Sequence, residues 1–180
     1  MTRAIPAAVF LTLVSGGLIT GCTRPTDPAT MATVEHMIQQ TDSLRTALNG
    51  MDTTALRHMQ ALFEAERPGI ERRFKDTLRE REAEVLGNYY RAMAERLPRL
   101  LADHRKEQER SGSTLLRLRD LRHDLAHGLL KKKEQQQALE MEKTWNSFLR
   151  NHLDRISADS QQLINDRRSY RAAIDSLFHQ

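Results

Sequence analysis

Apolar residues return at three- and four-residue steps through most of this chain, the period of a helix with one buried face. Val34, Met37, Ile38, Leu44 and Leu48 form the first such stripe, closed by Asn49-Gly50. Asp52 is a good N-cap for the next helix, and Met51 before it is placed to pack on Leu56 as a hydrophobic staple. That stripe runs Leu56, Met59, Leu62, Phe63 until Pro68-Gly69 interrupts it. Ile70, Phe74 and Leu78 then resume a spacing of four, and Thr77 with Glu80 can form a capping box. The pattern therefore predicts a kink or short break between Arg67 and Thr77.

A third stripe carries Leu78, Val85, Tyr89, Met93, Leu97, Leu101, His104, Leu115, Leu118, Leu121 and Leu125, with Pro98 and Gly112 inside it. Phase argues for continuity. Leu97, His104, Ser111, Leu118 and Leu125 fall at heptad intervals, as do Leu101, Gln108, Leu115 and Arg122, so the register crosses Gly112 without a shift. The prediction is one long helix, kinked at Pro98, in which Gly112 costs about 1 kcal/mol relative to Ala. From Lys132 a last stripe, Leu139, Trp145, Leu149, Leu153, Ile156, Leu163, Tyr170, Ile174 and Leu177, reads as one helix of roughly 45 residues, about 70 Å long.

Between these two lies "AHGLLKKKEQQQA". Gly128 is a natural C′ residue, Leu129 can supply the hydrophobic contact of a Schellman motif, and no large apolar residue occurs from Lys131 to Ala138. The chain is expected to reverse at residues 128–131, with "KKKEQQQ" at the solvated tip and first turn of the last helix. Nowhere do β-branched residues alternate with polar ones over a strand's length, so no sheet is expected. The predicted fold is all-α, an elongated helical bundle with a long antiparallel coiled-coil-like hairpin.

The N-terminus stands apart from this pattern. "MTRAIPAAVFLTLVSGGLITGC" has a basic start at Arg3, an apolar run from Ala4 to Val14 and small residues before Cys22, the layout of a secretory signal segment. Pro6, Gly16 and Gly17 break it up, which makes it a poor membrane span. The ending "ITGC" resembles the lipobox of bacterial lipoproteins. The resemblance implies that Cys22 receives a diacylglyceryl thioether, becomes the mature N-terminus and is N-acylated with a fatty acid such as palmitate. Two or more chains anchor a protein stably in a bilayer. Cys22 is the single cysteine, so an acylated thiol leaves none for a disulfide. Thr23 follows it where an Asp is the inner-membrane retention signal of proteobacteria, which favours the outer membrane, facing the periplasm. The expected organisation is a signal peptide at 1–21, lipidated Cys22 with a flexible tether over 22–31 that contains Pro25 and Pro28, and a helical bundle over 32–180.

"LRDLRHDLAHGLL", a basic and Leu-rich helix ending in Gly, followed by "LEMEK" opening a long helix, resembles uncharacterised helical envelope lipoproteins of Bacteroidota-type bacteria. That resemblance implies the hairpin and no activity.

Composition adds one constraint. With 39% hydrophobic, 5% aromatic and 29% charged residues, the core must be thin and helix-rich. The net charge of +4, reduced by one when Arg3 leaves with the leader, is spread among 24 acids and not gathered into a patch. No nucleic-acid partner is implied.

"HDLAH" at 123–127 is the one motif with catalytic overtones. His123 and His127 have the i, i+4 spacing of zinc ligands on a helix, with Asp124 where a zincin carries Glu. Against zinc chemistry stand the shorter Asp, the absence of strands for a substrate-binding edge, and the helix end at Gly128. Glu134 and His152 are the candidate third ligands, and no motif places either. A cationic His127 near a helix C-terminus is explained by the macrodipole and terminal carbonyls. Tyr89, Tyr90 and Trp145 could form an aromatic ligand surface, but Tyr89 and Trp145 fall on apolar stripes and read as core. His36, His58, His104, His152 and His179 show no clustering, and Arg167-Arg168 reads as a solvated face. No phosphate loop, nucleophile elbow or paired-carboxylate motif is present, and no catalytic residue, metal site or cofactor is assigned.

The function expected is that of a membrane-anchored envelope lipoprotein with a structural, tethering or adaptor role. Its partners are the bilayer, through acylated Cys22, and another envelope protein or a second copy. The alternative class is a periplasmic holdase chaperone, which uses helical hairpins but carries a β-rich trimerisation body; an HDxxH metallohydrolase is more remote.

Overall fold

The computed structural model describes residues 26–75 and 78–178. The signal segment, Cys22 and Thr77 lie outside the described residues. α1 spans Pro28–Asn49, α2 Thr53–Arg73, α3 Glu80–Tyr90, α4 Leu97–Ala126 and α5 Lys132–Phe178. A π-helical segment, Arg91–Arg96, joins α3 to α4 without a gap. No strand occurs among the described residues.

Cross-helix pairs set the topology. Glu35 meets Arg122 at 3.3 Å and Asn49 meets Gln108 at 3.0 Å, so α1 runs antiparallel to α4. Arg117 meets Glu142, Glu107 meets His152 and Arg96 meets Asp166, stepping in opposite directions along α4 and α5. α2 continues the direction of α1 until Phe63 packs edge-on against Tyr89 and Tyr90. The result is an all-α bundle of three long rods: α1 with α2, α3 through α4, and α5.

Two apolar cores lie along its length. Val34, Met37, Ile38, Leu115, Leu118, Leu121 and Leu125 fill the end near the hairpin tip. Phe63, Leu56, Tyr89, Met93, Leu97, Leu163 and Ile174 belong to the larger core at the other end. Every residue of both cores among the described residues falls between Met31 and Ile174.

Local chemistry explains the element boundaries. Gly128 adopts φ 63°, its N–H donates to the Leu125 carbonyl, and the Leu129 N–H donates to the Asp124 carbonyl. This is a Schellman closure, and it makes the reversal fall where the glycine stands. The hydrophobic contact, however, is not made by Leu129, which is 61% exposed. Leu130 packs on the core instead. Replacing Gly128 with Ala forces a side chain into the left-handed region and is expected to lower stability by about 1 kcal/mol. A lower urea midpoint at unchanged m checks this.

Asp52 caps α2 as expected, accepting from the Ala55 N–H at 2.9 Å, and Met51 lies against the same core as Leu56. α1 begins earlier than the tether assignment of 22–31 allows, because Asp27 accepts from the Ala29 N–H and Pro28 takes the first helical position. A proline at that position starts a helix, since its missing N–H would have no partner there.

α2 also runs through Pro68-Gly69 and stops only at Arg73. Pro68 is exposed, so the lost N–H falls on the side away from the core, and buried Ile70 carries the stripe onward. α2 thus ends at Arg73, and the next helix begins at Glu80. Glu82 caps the following helix by accepting from the Arg79 N–H at 2.9 Å, while the expected Thr77–Glu80 box falls on a residue outside those described.

Pro98 disturbs its helix by widening it. The ring has no N–H for the Ala94 carbonyl and would clash with it, and the Leu97 N–H reaches back five residues to the Ala92 carbonyl. The expected kink is realised as a π-helical segment immediately before the proline, while the helix crosses Gly112 unbroken.

The hairpin carries a coiled-coil seam. On α4 the buried positions are Leu97, His104, Ser111, Leu118 and Leu125, interleaved with Leu100, Glu107, Thr114 and Leu121, with Leu115 buried beside them. On α5 they include Glu142, Asn146, Leu149, Leu153, Ile156, Leu163 and Ile174. Both follow a heptad repeat, the period that drives left-handed supercoiling.

Candidate functional site

Midway along the hairpin the seam turns polar. From His104 to Thr114 every buried α4 side chain is polar or charged, and α5 opposes it with Glu142 and Asn146. Each of these groups finds a partner, as burial without one would be costly. Asn146 donates to the Thr41 hydroxyl at 2.8 Å, tying α5 to α1. His104 donates through Nε2 to the Leu48 carbonyl at 2.8 Å, satisfying one of the last acceptors of α1.

Glu107 and Glu142 are 3% exposed each. Arg117 holds Glu142 with two N–H donors, Nε at 2.8 Å and Nη2 at 3.2 Å. Glu107 accepts from Arg110 at 2.6 Å and from His152 Nδ1 at 3.0 Å. Glu107 lines a groove of about 370 Å³ between α4 and α5, walled by Arg117, Trp145, Phe148 and His152.

The outer edge of the groove is apolar. Trp145 is 48% exposed and Phe148 54%, with the two rings edge-on at 6.2 Å and Met141 exposed one turn earlier. Arg117 also covers the Trp145 ring at 5.9 Å. Trp145 is therefore not core: one and four residues past it, Asn146 and Leu149 hold the inward positions, and the indole is left on the flank. Chemically, an aromatic ridge beside a groove lined with fixed charges suits an amphipathic helix or extended segment of another protein.

The histidines of HDLAH lie elsewhere, at the hairpin tip. Their rings stack at 4.1 Å, and His127 Nδ1 donates to the His123 carbonyl at 2.8 Å, closing the last turn of α4. Glu134 accepts from the Lys131 N–H and so caps α5, while His152 is engaged with Glu107. Neither joins His123 and His127, and no group of three or more metal-binding side chains is assembled among the described residues.

At the far end, Tyr89 is fully buried and donates to Glu66 at 2.9 Å, and Glu66 pairs with Arg171 at 2.6 Å. Burial, reinforced by the hydrogen bond to Glu66, pushes the Tyr89 hydroxyl up to about 12. The fold holds this proton more tightly than the unfolded chain does. Its contribution is full below about pH 10 and is lost as the pH rises toward 12. Tyr89→Phe is expected to lose less stability across that window than the parent, which melting curves between these pH values would reveal.

No helix among the described residues is long and apolar enough to cross a membrane. The class defined by fold and site is a three-rod helical bundle with a coiled-coil hairpin. No protein-family model, curated protein or solved structure matches the chain.

Proposed function

We propose that this chain is a lipid-anchored tether or adaptor of the bacterial cell envelope, held by acylated Cys22 and docking an envelope protein or a second copy along its hairpin. One observation carries this reading: α1 begins at the same end of the bundle where α4 turns into α5. The Thr26 hydroxyl donates to the Leu125 carbonyl at 2.6 Å and fastens the two together. Thr26 lies four residues after Cys22, so a lipid there would be held within about 14 Å of the tip. The rods would then stand away from the bilayer, with Trp145 about 20 Å from the tip and the far end about 70 Å from it. The "ITGC" lipobox and Thr23 support the outer membrane as its site, facing the periplasm, and no catalytic role is assigned.

In-cell crosslinking of the full-length lipidated protein, with Cys22→Ala as control, tests the reading. A single envelope partner, or self-crosslinks alone, lost with the anchor supports it. The competing reading is a holdase, which the exposed Met141, Trp145 and Phe148 also suit. Crosslinks to many unfolded outer-membrane proteins, retained without the anchor, would establish that alternative.

A further inference from the structure

We propose that the hairpin tip is a contact surface for anionic lipid headgroups, so that the bundle is held to the membrane by its tip as well as by its acyl chains; this rests on the anchored reading above. Lys131, Lys132 and Lys133 are all exposed, and none forms an ion pair among the described residues. The acids around them have partners other than the lysine ammonium groups. Glu134 accepts from the Lys131 N–H, Asp27 from the Ala29 N–H, Glu35 pairs with Arg122, and Asp124 lies 3.4 Å from His123.

The rest of the tip fits a lipid surface better than it fits water. Leu129 stands 61% exposed two residues before the basic run, an apolar side chain outside both cores among the described residues. Beside it a groove of about 890 Å³ opens between the start of α1 and the first turns of α5, with Lys131 and Lys132 on its walls, Lys143 paired with Glu140 at 2.8 Å, Asp27 at its α1 edge, and Leu130 and Leu139 on its apolar side. α1 and α5 both begin at this end, against the single C-terminus of α4. The helix dipoles therefore add net positive potential where the lysines stand.

Basic side chains beside an exposed leucine match a headgroup layer, where lysines meet phosphates and the leucine meets acyl carbon. An acidic protein would satisfy the lysines but leave Leu129 unexplained. An acyl chain on Cys22 would keep the tip at the bilayer and make even weak individual contacts productive.

The test uses the chain from Thr23 to Gln180, which has no acyl group and retains every core residue described. It is sedimented with phosphatidylcholine vesicles, with or without about 30% phosphatidylglycerol. Binding is expected only to the anionic vesicles and is expected to weaken in about 0.5 M salt. Lys131→Gln, Lys132→Gln and Lys133→Gln together should reduce it by more than about tenfold, since each lysine near such a surface is worth about fivefold. Arg72→Gln with Arg73→Gln, at the opposite end, should leave it unchanged. Equal helicity and melting temperature of the variants show that folding is not the cause.

Undiminished binding by the triple variant, no preference for anionic vesicles, or retention on polyglutamate without vesicle binding would overturn the proposal. Because acylation plays no part in the assay, failure of the anchored reading is recognised separately, from an unmodified Cys22 in cells.

Discussion

Phe63→Ala is expected to remove about 3–5 kcal/mol of stability, the upper end of what truncating one buried side chain costs. Phe63 is fully buried in the larger core, where α2, α3 and α5 meet. Its ring takes edge-on contacts from Tyr89 at 5.5 Å and Tyr90 at 5.3 Å. Such contacts contribute beyond the area they bury. The rods are only one helix thick, so few neighbours can move in to close the cavity. Urea unfolding followed by circular dichroism should show the midpoint falling steeply. A loss below about 1 kcal/mol would mean that the α2 end of the bundle is not cooperatively packed.

The second large effect concerns partners more than stability. Trp145→Ser combined with Phe148→Ser should abolish at least about nine-tenths of crosslinking to the envelope partner, because buried aromatic anchors carry most of the energy of such interfaces. Both side chains are about half exposed and outside either core. Half-buried, they contribute only part of what a core aromatic does, and their removal should lower the unfolding free energy by about 1–2 kcal/mol, leaving the bundle folded. Loss of crosslinking with the fold retained would assign the ridge to docking. Unchanged crosslinking would place the partner on another face.

The heptad through Leu97, Leu118 and Leu125 and the glycine at 128 made the hairpin legible from sequence, because apolar periodicity and a left-handed turn residue are local signals. The polar middle was not legible. Leu101, Gln108, Leu115 and Arg122 suggested a second heptad row, of which only Leu115 is buried, whereas the fully buried row runs Leu100, Glu107, Thr114 and Leu121. Two of its four members are polar, so hydrophobicity could not reveal them. Extending the Leu97 heptad by its three-residue partner would have done so. The same blindness placed Trp145 in the core, since nothing local to the indole says that Glu142 and Asn146 take the inward positions.

The proline positions show what local rules leave undecided. Pro28 starts a helix, Pro68 lies inside one and Pro98 widens one. The difference is set by whether the missing N–H falls at a helix start, on an exposed side or in a packed turn. The site itself depended on tertiary structure throughout, because the nearness of Thr26 to the hairpin tip joins residues 99 positions apart.

Whether the bundle is anchored through Cys22 is decided by the mass of the N-terminal peptide of the protein purified in detergent from its native membranes. The expected chain begins at Cys22 and carries a diacylglyceryl thioether together with an amide-linked acyl chain. A chain that retains residues 1–21, or one that begins at an unmodified Cys22, would contradict the anchored reading.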